Sequence, residues 1–311
     1  MQIPVAVPPR RDANAAEVVG IGQATADHLC VVDPFPTPDT KQRLVGHAMQ
    51  PGGQVATALA ALGRWGVRTA YAGAVGGDDA GRAARASLEA HGVDVGAAVV
   101  RPALATQLSV ILVDARSGER TVLWHRAEGL DLAPDEVPLD RVVAARALLV
   151  DGADGAAARR AATAARGAGV PVVADLDLSC ADAPALVPLV DVLLVSHEFA
   201  RRYTGAAAPS DALAALAAAG PAVVGVTLGR DGVVARAAGR DFRQHAYPVT
   251  AVDTTGAGDL FHAGFLWGML HGFALEDALR LANAAAALQC TRLGGREAIP
   301  ALADARALAG L

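Results

Sequence analysis

The segment Asp253-Thr-Thr-Gly-Ala-Gly-Asp259 carries the strongest chemical signal in the sequence. A strand-like approach over residues 245–252 ends in this glycine-rich stretch, and a helix-like sequence begins within it. Such a turn at a helix N-terminus presents successive backbone N–H groups with about half a positive charge, which together bind an anion. Asp259 falls in the first helical turn. It lies beside the amides of three residues, Gly256, Ala257 and Gly258.

The spacing predicts a general base next to an anion hole. The Asp259 carboxylate would take a proton from a hydroxyl, while the three amides stabilise charge on the transferred group. A carboxylate that only complements the helix dipole is the structural alternative.

The sequence contains a single lysine, Lys41, in the polar stretch PTPDTKQRL. A Walker-type phosphate loop requires Gly-Lys-Ser/Thr, which does not occur in this sequence. Catalysis through a buried lysine, including a Schiff base, is disfavoured for the same reason. Any phosphate handling must therefore rely on backbone amides, arginine or metal.

The string DTTGAGD resembles the C-terminal signature of the ribokinase-like (PfkB-type) carbohydrate kinases, and its late position at a helix start also fits. In that family the last Asp is the catalytic base and the glycine turn is the anion hole, which puts these roles on Asp259 and residues 256–258. The resemblance extends over residues 17–305. It implies an α/β fold, a ribokinase-like Rossmann-type three-layer sandwich with a small β-sheet lid. The implied reaction transfers phosphoryl from MgATP to a hydroxymethyl group of a ketose- or ribose-type sugar or derivative.

The acceptor side follows from the segment Pro51-Gly-Gly-Gln-Val-Ala-Thr57, which resembles the family's N-terminal signature. It implies substrate contacts from four residues, Gly52, Gly53, Gln54 and Thr57. The glycine pair lets a substrate approach the backbone before a helix, with a simple helix N-cap as the alternative. Thr57 replaces the usual Asn and offers fewer donors, which leaves the sugar's identity open.

Two further carboxylates are candidates for sugar contacts. Asp27 follows the first strand-like run, at the position where an Asp binds sugar hydroxyls in the family. The resemblance therefore implies the same role for Asp27, and the alternative is an Asp in a solvent-facing turn. Asp151 follows the apolar run 147–150, where strand C-termini carry ligands in an open α/β sheet. It is interpreted as a second sugar contact or as a helix N-cap.

The nucleotide side is implied by three residues of a Thr-x-Gly-x-x-Gly segment, Thr227, Gly229 and Gly232, with a hairpin turn as the alternative. Asn283 matches a family position beside the adenine, and its place in an apolar helix requires a polar partner. His197 stands in a segment that aligns with an Asn-x-x-Glu pattern around magnesium and phosphate. Because His197 and Ala200 replace both polar residues, Glu198 is the nearest acidic substitute.

The segment CTRLGGREAIP, residues 290–300, resembles the family's C-terminal loop. In many members this loop and the first Asp of DTTGAGD hold a monovalent cation. The resemblance therefore implies potassium bound by Asp253, Thr255 and carbonyls around Arg292 and Gly294. The implied cofactors are ATP, Mg²⁺ and K⁺.

Three basic side chains near the proposed site could have either a structural or a functional role. Arg120 and Arg126 flank a Thr-Val-Leu-Trp-His run and are interpreted as surface-strand charges rather than contacts to an anionic substrate. His262, one turn after Asp259, is interpreted as packing rather than a proton relay. No histidine pair has metal-ligand spacing, so no zinc site is predicted.

Apolar β-like runs alternate with Ala-rich helical runs, which predicts βαβ units and a parallel sheet covered on both faces. Two stretches, residues 28–50 and 104–126, break the alternation and are predicted to form the lid. Residues 1–16 are predicted to be a disordered leader, and residues 17–311 the kinase domain. The exposed edges of a small lid sheet predict a homodimer formed through the lids.

The composition narrows the function classes. The chain has 311 residues, of which 53% are hydrophobic and 19% charged, a normal globular balance. Its net charge of −5 gives no basic footprint for nucleic acid or an anionic membrane. No apolar run reaches the ~18 residues of a membrane helix. The three widely spaced cysteines predict reduced thiols and a cytoplasmic location.

Three other functions remain open from the sequence. A nucleoside kinase of the same fold would differ only in its pocket. A non-catalytic sugar- or nucleotide-sensing protein is suggested by Thr57, His197 and Ala200, although Asp259 and the complete glycine turn favour an enzyme. An NAD-dependent oxidoreductase would rest only on the Gly20-x-Gly22 pair.

Overall fold

A computed structural model of the protein describes residues 1–12, 14–178 and 180–311. The strands, in chain order, are β1 (Val18–Ile21), β2 (Thr25–Val32), β3 (Gly46–Gly52), β4 (Thr69–Ala72), β5 (Ala74–Gly76), β6 (Val93–Asp94), β7 (Val99–Arg101), β8 (Gln107–Asp114), β9 (Arg120–His125), β10 (Ala147–Val150), β11 (Val172–Ala174), β12 (Val192–Ser196), β13 (Val223–Thr227), β14 (Val233–Ala237) and β15 (Arg240–Gln244). The helices are α1 (Gln54–Arg64), α2 (Asp79–Ala90), α3 (Leu139–Ala144), α4 (Gly155–Gly167), α5 (Ala183–Leu186), α6 (His197–Thr204), α7 (Pro209–Ala218), α8 (Ala257–Leu270), α9 (Leu275–Gln289) and α10 (Leu302–Ala309).

The main sheet has nine strands in the order β15-β14-β13-β12-β11-β10-β1-β4-β6. Neighbouring strands from β6 to β13 pair in parallel. At the other edge, β14 runs in the opposite direction and pairs antiparallel with both β13 and β15. Strands such as β1 and β10 are buried along their whole length, as expected for a sheet covered on both faces. One large apolar cluster, which includes residues of α1, α8 and α9, covers one face, and a second, which includes residues of α4 and α7, covers the other. The predicted three-layer α/β sandwich is therefore confirmed.

A separate four-stranded sheet has the order β3-β2-β8-β9. It is drawn mainly from the two stretches that break the alternation, although β2 begins earlier, at Thr25. The parallel pairing of β2 with β8 sets Asp27 opposite Ser109. Since side chains alternate across a strand, these two residues share the face that looks toward the main sheet. We call these four strands the lid sheet.

The first residues differ from the predicted disordered leader. The Met1 ammonium lies 2.6 Å from a Glu276 carboxylate oxygen, and Gln2 forms a β-bridge with Ala274. The alternating apolar side chains of Met1, Ile3, Val5 and Val7 pack against the larger core cluster. This burial gives the segment a fixed place that composition alone did not predict. Residue 13 lies outside the described residues.

The Gly20-x-Gly22 pair has a packing explanation. A Cβ added at Gly20 would lie 2.6 Å from Val55 and Leu59 side-chain carbons, and one at Gly22 would lie 2.2 Å from an Asp151 oxygen. The chain after β1 also continues into β2, whereas a dinucleotide-binding turn leads into a helix. The oxidoreductase alternative thus loses its only support. Among the described residues, no helix has the length and apolarity required to cross a bilayer.

Candidate active site

A cleft of about 470 Å³ lies between the lid sheet and the carboxyl ends of the main-sheet strands. This volume is within the range of small-molecule sites. Both predicted halves of the site reach its wall: Asp27, Gly53 and Gln54 on one side, and residues around Asp259 on the other. The predicted residues that line it are Asp27, Gly53, Gln54, Thr227, Thr255, Gly256, Gly258 and Asp259.

The glycine turn, residues 254–258, is shaped by its glycines. Gly256 precedes α8 in a left-handed conformation with φ of 78°, which favours glycine. A Cβ added at Gly258 would meet nothing within 4 Å, so no side chain covers the backbone there. The amides of Gly256, Gly258 and Asp259 have no acceptor among the described residues, while that of Ala257 donates to the Thr254 carbonyl at 3.3 Å. The turn therefore presents unpaired N–H groups at the start of a helix.

Asp259 lies half-buried in the cleft wall beside these amides. Burial and the neighbouring Asp175 carboxylate raise the pKa of Asp259 well above its usual value, although Arg120 and His262 partly oppose the shift. A raised pKa brings a carboxylate closer to the range in which a general base works best near neutral pH.

Asp175 follows β11 and lines the same cleft. Burial and the Asp177 carboxylate raise its pKa. One of its oxygens lies 3.3 Å from Nδ1 of His262. The His262 ring is buried, with Nδ1 2.8 Å from the Gly258 carbonyl and Nε2 3.0 Å from the Leu194 carbonyl. These contacts fix the ring between α8 and β12, which agrees with a packing role.

The acceptor half is centred on Asp27. Its carboxylate accepts a 2.6 Å hydrogen bond from the Thr25 hydroxyl, and burial raises its pKa while Thr25 and Ser109 oppose the shift. A Cβ at Gly52 would lie 1.8 Å from an Asp27 oxygen, and a Cβ at Gly53 would lie 2.3 Å from the Gln23 carbonyl. The glycine pair is thus required by the close approach of β2 and the loop before it.

A chain of side-chain amides, Gln23, Gln54 and Gln107, crosses the cleft, and we call it the amide wall. Gln107 donates to Gln23 at 2.6 Å, and Gln23 donates to Gln54 at 2.9 Å. Gln54 also hydrogen-bonds the Asp175 carboxylate. The wall therefore connects the lid sheet, through Gln107, to the carboxylates beside the glycine turn.

Arg126 supports the lid end of the amide wall and is not a surface charge. Its side chain is only 11% exposed, and its guanidinium pairs with the buried carboxylate of Asp154 and lies 3.3 Å from Asp131. It also donates to the side-chain oxygen Oε1 of Gln107 at 3.4 Å. The surface interpretation was wrong because the sequence does not show that β9 ends over the buried start of α4.

Arg120 remains exposed, as interpreted, but it also lines the cleft. Its guanidinium donates to the Thr254 hydroxyl at 3.0 Å, on the glycine turn. This places one cation of the lid sheet at the anion-binding end of the cleft.

Several predicted contact residues do not line the cleft, among them Asp151, Asn283, Thr57 and Gly52. Asp151 is 1% exposed, and its oxygens accept the backbone N–H groups of Gln23 and Ala153 at 2.9 and 3.0 Å. Burial raises its pKa to about 7. Asn283 donates to the Gln244 and His245 carbonyls at 3.1 and 3.3 Å. Both side chains therefore hold backbone in place. Thr57 is also buried in α1, and Gly52 faces Asp27.

On the nucleotide side, Thr227 reaches the cleft at the end of β13. Gly229 and Gly232 follow in a tight turn with φ of 58° and 90°. His197, the first residue of α6, does not line the cleft. Glu198 is a poor substitute for the missing acidic residue, because hydrogen bonds from Arg201 and Arg202 on its own helix hold its half-exposed carboxylate and lower its pKa to about 2.

The predicted potassium ligands meet, but their oxygens already have partners. Asp253 is fully buried and accepts the Thr255 N–H and hydroxyl at 2.8 and 2.7 Å and the Gly294 N–H at 2.8 Å. The carbonyls of Thr255 and Gly294 accept hydrogen bonds from the side chain of Gln289. Arg292 is exposed. With these hydrogen bonds in place, the oxygens of Asp253, Thr255 and Gly294 do not fit a bound monovalent cation.

Sequence reasoning missed Gln23, Gln107 and Gln289. A polar residue that is buried within an apolar strand or helix needs a partner, so Gln107 and Gln289 carried a weak signal of this kind. Their partners lie far away in the sequence or in loops, and no spacing rule predicts them.

Known proteins resemble this chain in sequence and in fold. Residues 15–302 match the family model described as pfkB family carbohydrate kinase. The chain is 32% identical to a fructokinase from Klebsiella pneumoniae, over 90% of this chain and 95% of that one. It is also 32% identical to an ATP-dependent ribose-1-phosphate kinase from Halopiger xanaduensis, over 90% and 94%. The structure of Arabidopsis thaliana ribokinase complexed with ribose and ATP superposes with a TM-score of 0.81 at 25% identity, over 96% of this chain and 99% of that one.

Proposed function

The chain belongs to the pfkB family of carbohydrate kinases, and from that premise we propose that it phosphorylates a hydroxymethyl group of an uncharged sugar or sugar derivative with ATP. The observation that carries the proposal is one cleft that holds the Asp259 carboxylate, the unpaired amides of Gly256 and Gly258, and Asp27 on the opposite side. A base, an anion hole and an acceptor contact are the parts that phosphoryl transfer to an alcohol requires.

In the proposed reaction, Asp27 and Gln54 bind hydroxyls of the acceptor and orient one hydroxymethyl group toward Asp259. The Asp259 carboxylate accepts the hydroxyl proton as the oxygen forms a bond to the γ-phosphorus. The bond from that phosphorus to the bridging oxygen breaks, and ADP leaves with the electron pair. The amides of Gly256 and Gly258 donate to the transferred group, so positioning and electrostatics supply most of the acceleration.

The charge of the cleft favours an uncharged acceptor. Arg126 is the basic side chain that lines the cleft at its acceptor end, and its charge is balanced by Asp154 and Asp131. The neighbouring groups are the amide wall and the Asp27 carboxylate, which suit hydroxyls that both donate and accept. A phosphate on the acceptor would meet Asp27, and among the described residues no unpaired cation lines that end of the cleft to balance it. Like charges in a desolvated cleft repel each other.

ATP and Mg²⁺ are part of the proposal. Asp175 and Asp177, beyond the end of β11, line the cleft near Asp259. Nucleotide-bound Mg²⁺ keeps phosphate and water ligands and uses only one or two protein carboxylates. Asp175 and Asp177 supply that number of carboxylates, so they fit an ion that arrives with the nucleotide. Bound there, the ion would neutralise phosphate charge.

The direct test is ADP release with a panel of acceptors, followed by identification of the phosphorylated position by NMR. The panel contains hexoses, ketoses, ribose, nucleosides and the corresponding sugar phosphates. We expect turnover with an unphosphorylated sugar. Turnover confined to sugar phosphates would overturn the uncharged acceptor, turnover confined to nucleosides would indicate a nucleoside kinase, and no ADP release with any acceptor would indicate a sensor.

We also propose a cytoplasmic homodimer that forms through the lid sheet. The outer face of this sheet exposes apolar side chains from three strands, Met49, Leu108 and Leu123. An exposed apolar patch of this kind is typical of a protein contact. The three cysteines are free, as expected in a reducing compartment. Sedimentation velocity of the wild type and of Leu123→Glu would test the contact, since the variant should sediment as a monomer.

A further inference from the structure

Gln289, the last residue of α9, is fully buried between two loops. Its side-chain nitrogen lies 3.2 Å from the Thr255 carbonyl oxygen and 2.7 Å from each of the Gly294 and Gly295 carbonyl oxygens. Three main-chain oxygens from two separate segments therefore converge on a single atom.

Three carbonyl oxygens that point at one buried position require a hydrogen-bond donor or a cation at that position. Carbonyl oxygens carry partial negative charge, and leaving them unpaired in a buried region costs free energy. A carboxamide has only two N–H hydrogens, so one of them must be shared among the three acceptors. The same oxygens are the kind of ligand that a hard cation accepts. A cation and the Gln289 nitrogen cannot occupy this point together.

The adjacent carboxylate is already balanced by neutral donors. The Asp253 oxygens accept three hydrogen bonds, from the Thr255 N–H and hydroxyl and from the Gly294 N–H. Hydrogen bonds from several donors stabilise an ionised carboxylate without a counter-ion. Asp253 and Gln289 thus join the same two loops by opposite means, one as acceptor and one as donor.

The position of Gln289 links it to the glycine turn. A Cβ added at Gly256 would lie 3.1 Å from the Gln289 nitrogen, so the carboxamide packs directly against the residue that begins α8. The contact to the Thr255 carbonyl holds the turn from within. Any group at this point therefore fixes the orientation of the Gly256 and Gly258 amides.

We infer that the Gln289 carboxamide takes the place of a monovalent cation, so that the glycine turn is held in shape without potassium. Asp253, Thr255 and Gly294 keep the arrangement of a cation site, and the chain fills its centre with its own donor. The inference goes beyond the proposed kinase activity, and its test reads the fold directly and does not depend on turnover.

The experiment measures the melting temperature of the full chain in potassium chloride and in tetramethylammonium chloride at equal ionic strength. The variants are Gln289→Ala, which empties the centre, and Gln289→Glu, which replaces the donor by an oxygen. Gln42→Ala is the matched control, because the Gln42 amide also donates to a carbonyl, that of Pro34, but on the exposed surface. Crystals of each protein soaked in rubidium chloride would locate a bound ion by anomalous scattering.

We expect the wild type and Gln42→Ala to melt within about 1 °C in the two salts and to show no rubidium among the three carbonyls. Gln289→Ala and Gln289→Glu should melt lower in tetramethylammonium, regain at least about 2 °C with potassium in a saturable way, and bind rubidium. A saturable potassium effect or a rubidium peak in the wild type would overturn the inference. Folded variants that ignore potassium would also overturn it, and if neither variant folds, the wild-type measurements decide alone.

Discussion

The two halves of the cleft are built from different parts of the chain. The glycine turn offers main-chain N–H groups whose direction is fixed by the left-handed Gly256 and by the start of α8. The amide wall offers side chains, Gln23, Gln54 and Gln107, that hydrogen-bond to each other across three distant segments. In the proposed reaction, the first half supplies the Asp259 carboxylate as the base, and the second half supplies groups that would bind hydroxyls of the acceptor.

This difference suggests that one half of the cleft serves the phosphoryl-transfer step and the other half selects the acceptor. Main-chain groups cannot be exchanged by mutation, so the glycine turn suits the part of the reaction common to every acceptor. Side chains of the amide wall can change without altering the fold, so that half is suited to select the sugar. Substitutions in the first half should lower kcat, and those in the second should change KM for the acceptor.

The largest expected effect tests the half of the cleft that contains the glycine turn and Asp259, which we call the reactive half. Asp259→Asn keeps the size of the side chain but removes the base, so kcat should fall by at least about 10²-fold while the fold and ATP binding persist. Steady-state kinetics, nucleotide titration and thermal melting measure the three properties. Asp304→Asn is the control, because Asp304 also lies in the first turn of a helix but is exposed on α10. Turnover of Asp259→Asn near the wild-type rate would refute the assignment.

The same comparison explains how much of the protein could be predicted from its sequence. The layered fold and the glycine turn follow from local patterns: apolar runs that alternate with helices, and glycines at a helix start. Asp151 and Asn283 show the limit of such patterns, because a polar residue at a strand end or in a helix can face a ligand or the backbone. The outcome depends on loops from elsewhere in the chain, here at Gln23 and Gln244.

The amide wall and Arg126 were beyond prediction for the same reason. Gln107 and its partner Gln23 are 84 positions apart, and Arg126 pairs with Asp154 across 28. Only the tertiary arrangement of the loop before β2, the strands β8 and β9, and the start of α4 brings them together. Gln289 shows the converse case: the predicted cation ligands do converge, but a residue to which the resemblance assigns no role occupies their centre.

The next effect tests the acceptor half. Gly52→Ala would place a Cβ 1.8 Å from an Asp27 oxygen, so the carboxylate must move. A displacement of about 1 Å in a positioning group costs about 10²-fold in kcat/KM, and we expect most of it in KM for the acceptor. Gly167→Ala is the control, since a Cβ there meets nothing within 4 Å. Unchanged acceptor kinetics for Gly52→Ala would show that Asp27 does not bind the acceptor.

A smaller effect tests how the lid sheet is anchored. Asp78 caps α2 by accepting the Gly81 N–H at 2.9 Å, and it also accepts the Thr106 N–H and hydroxyl at 3.0 and 2.6 Å, next to Gln107 of the amide wall. Asp78→Ala should lower the free energy of unfolding by about 2 kcal/mol, from a lost cap and lost hydrogen bonds. Denaturant unfolding at pH 7 measures it, with the exposed neighbour variant Asp79→Ala as control. A loss no larger than that of the control would show that Asp78 does not anchor the lid sheet.

The pH dependence of the Asp78 effect has a defined sign. Burial opposes ionisation, but the Thr106 and Gly81 donors prevail and hold the pKa of Asp78 below its usual value. The stability it contributes is therefore present above the unfolded pKa of about 3.9 and is lost as pH falls through the lower folded value. The difference between wild type and Asp78→Ala should be constant from pH 5 to 7, as rough limits, and shrink below about pH 4. A difference that grows on acidification would contradict the assignment.

The smallest expected effect tests whether α6 contributes to the half of the cleft that contains the glycine turn and Asp259. Ser196 lines the cleft at the end of β12, whereas Glu198, two residues later on α6, is held on the surface by Arg201 and Arg202. Glu198→Ala should therefore change the melting temperature by less than about 1 °C and leave the Mg²⁺ concentration for half-maximal activity within about twofold of wild type. The comparison variant is Asp177→Asn, which changes a cleft carboxylate and should raise that Mg²⁺ concentration. If Glu198→Ala raised the Mg²⁺ concentration for half-maximal activity as much as Asp177→Asn does, α6 would belong to the same half of the cleft as the glycine turn. That half would then include an exchangeable side chain that could be adapted to a different nucleotide or metal ion.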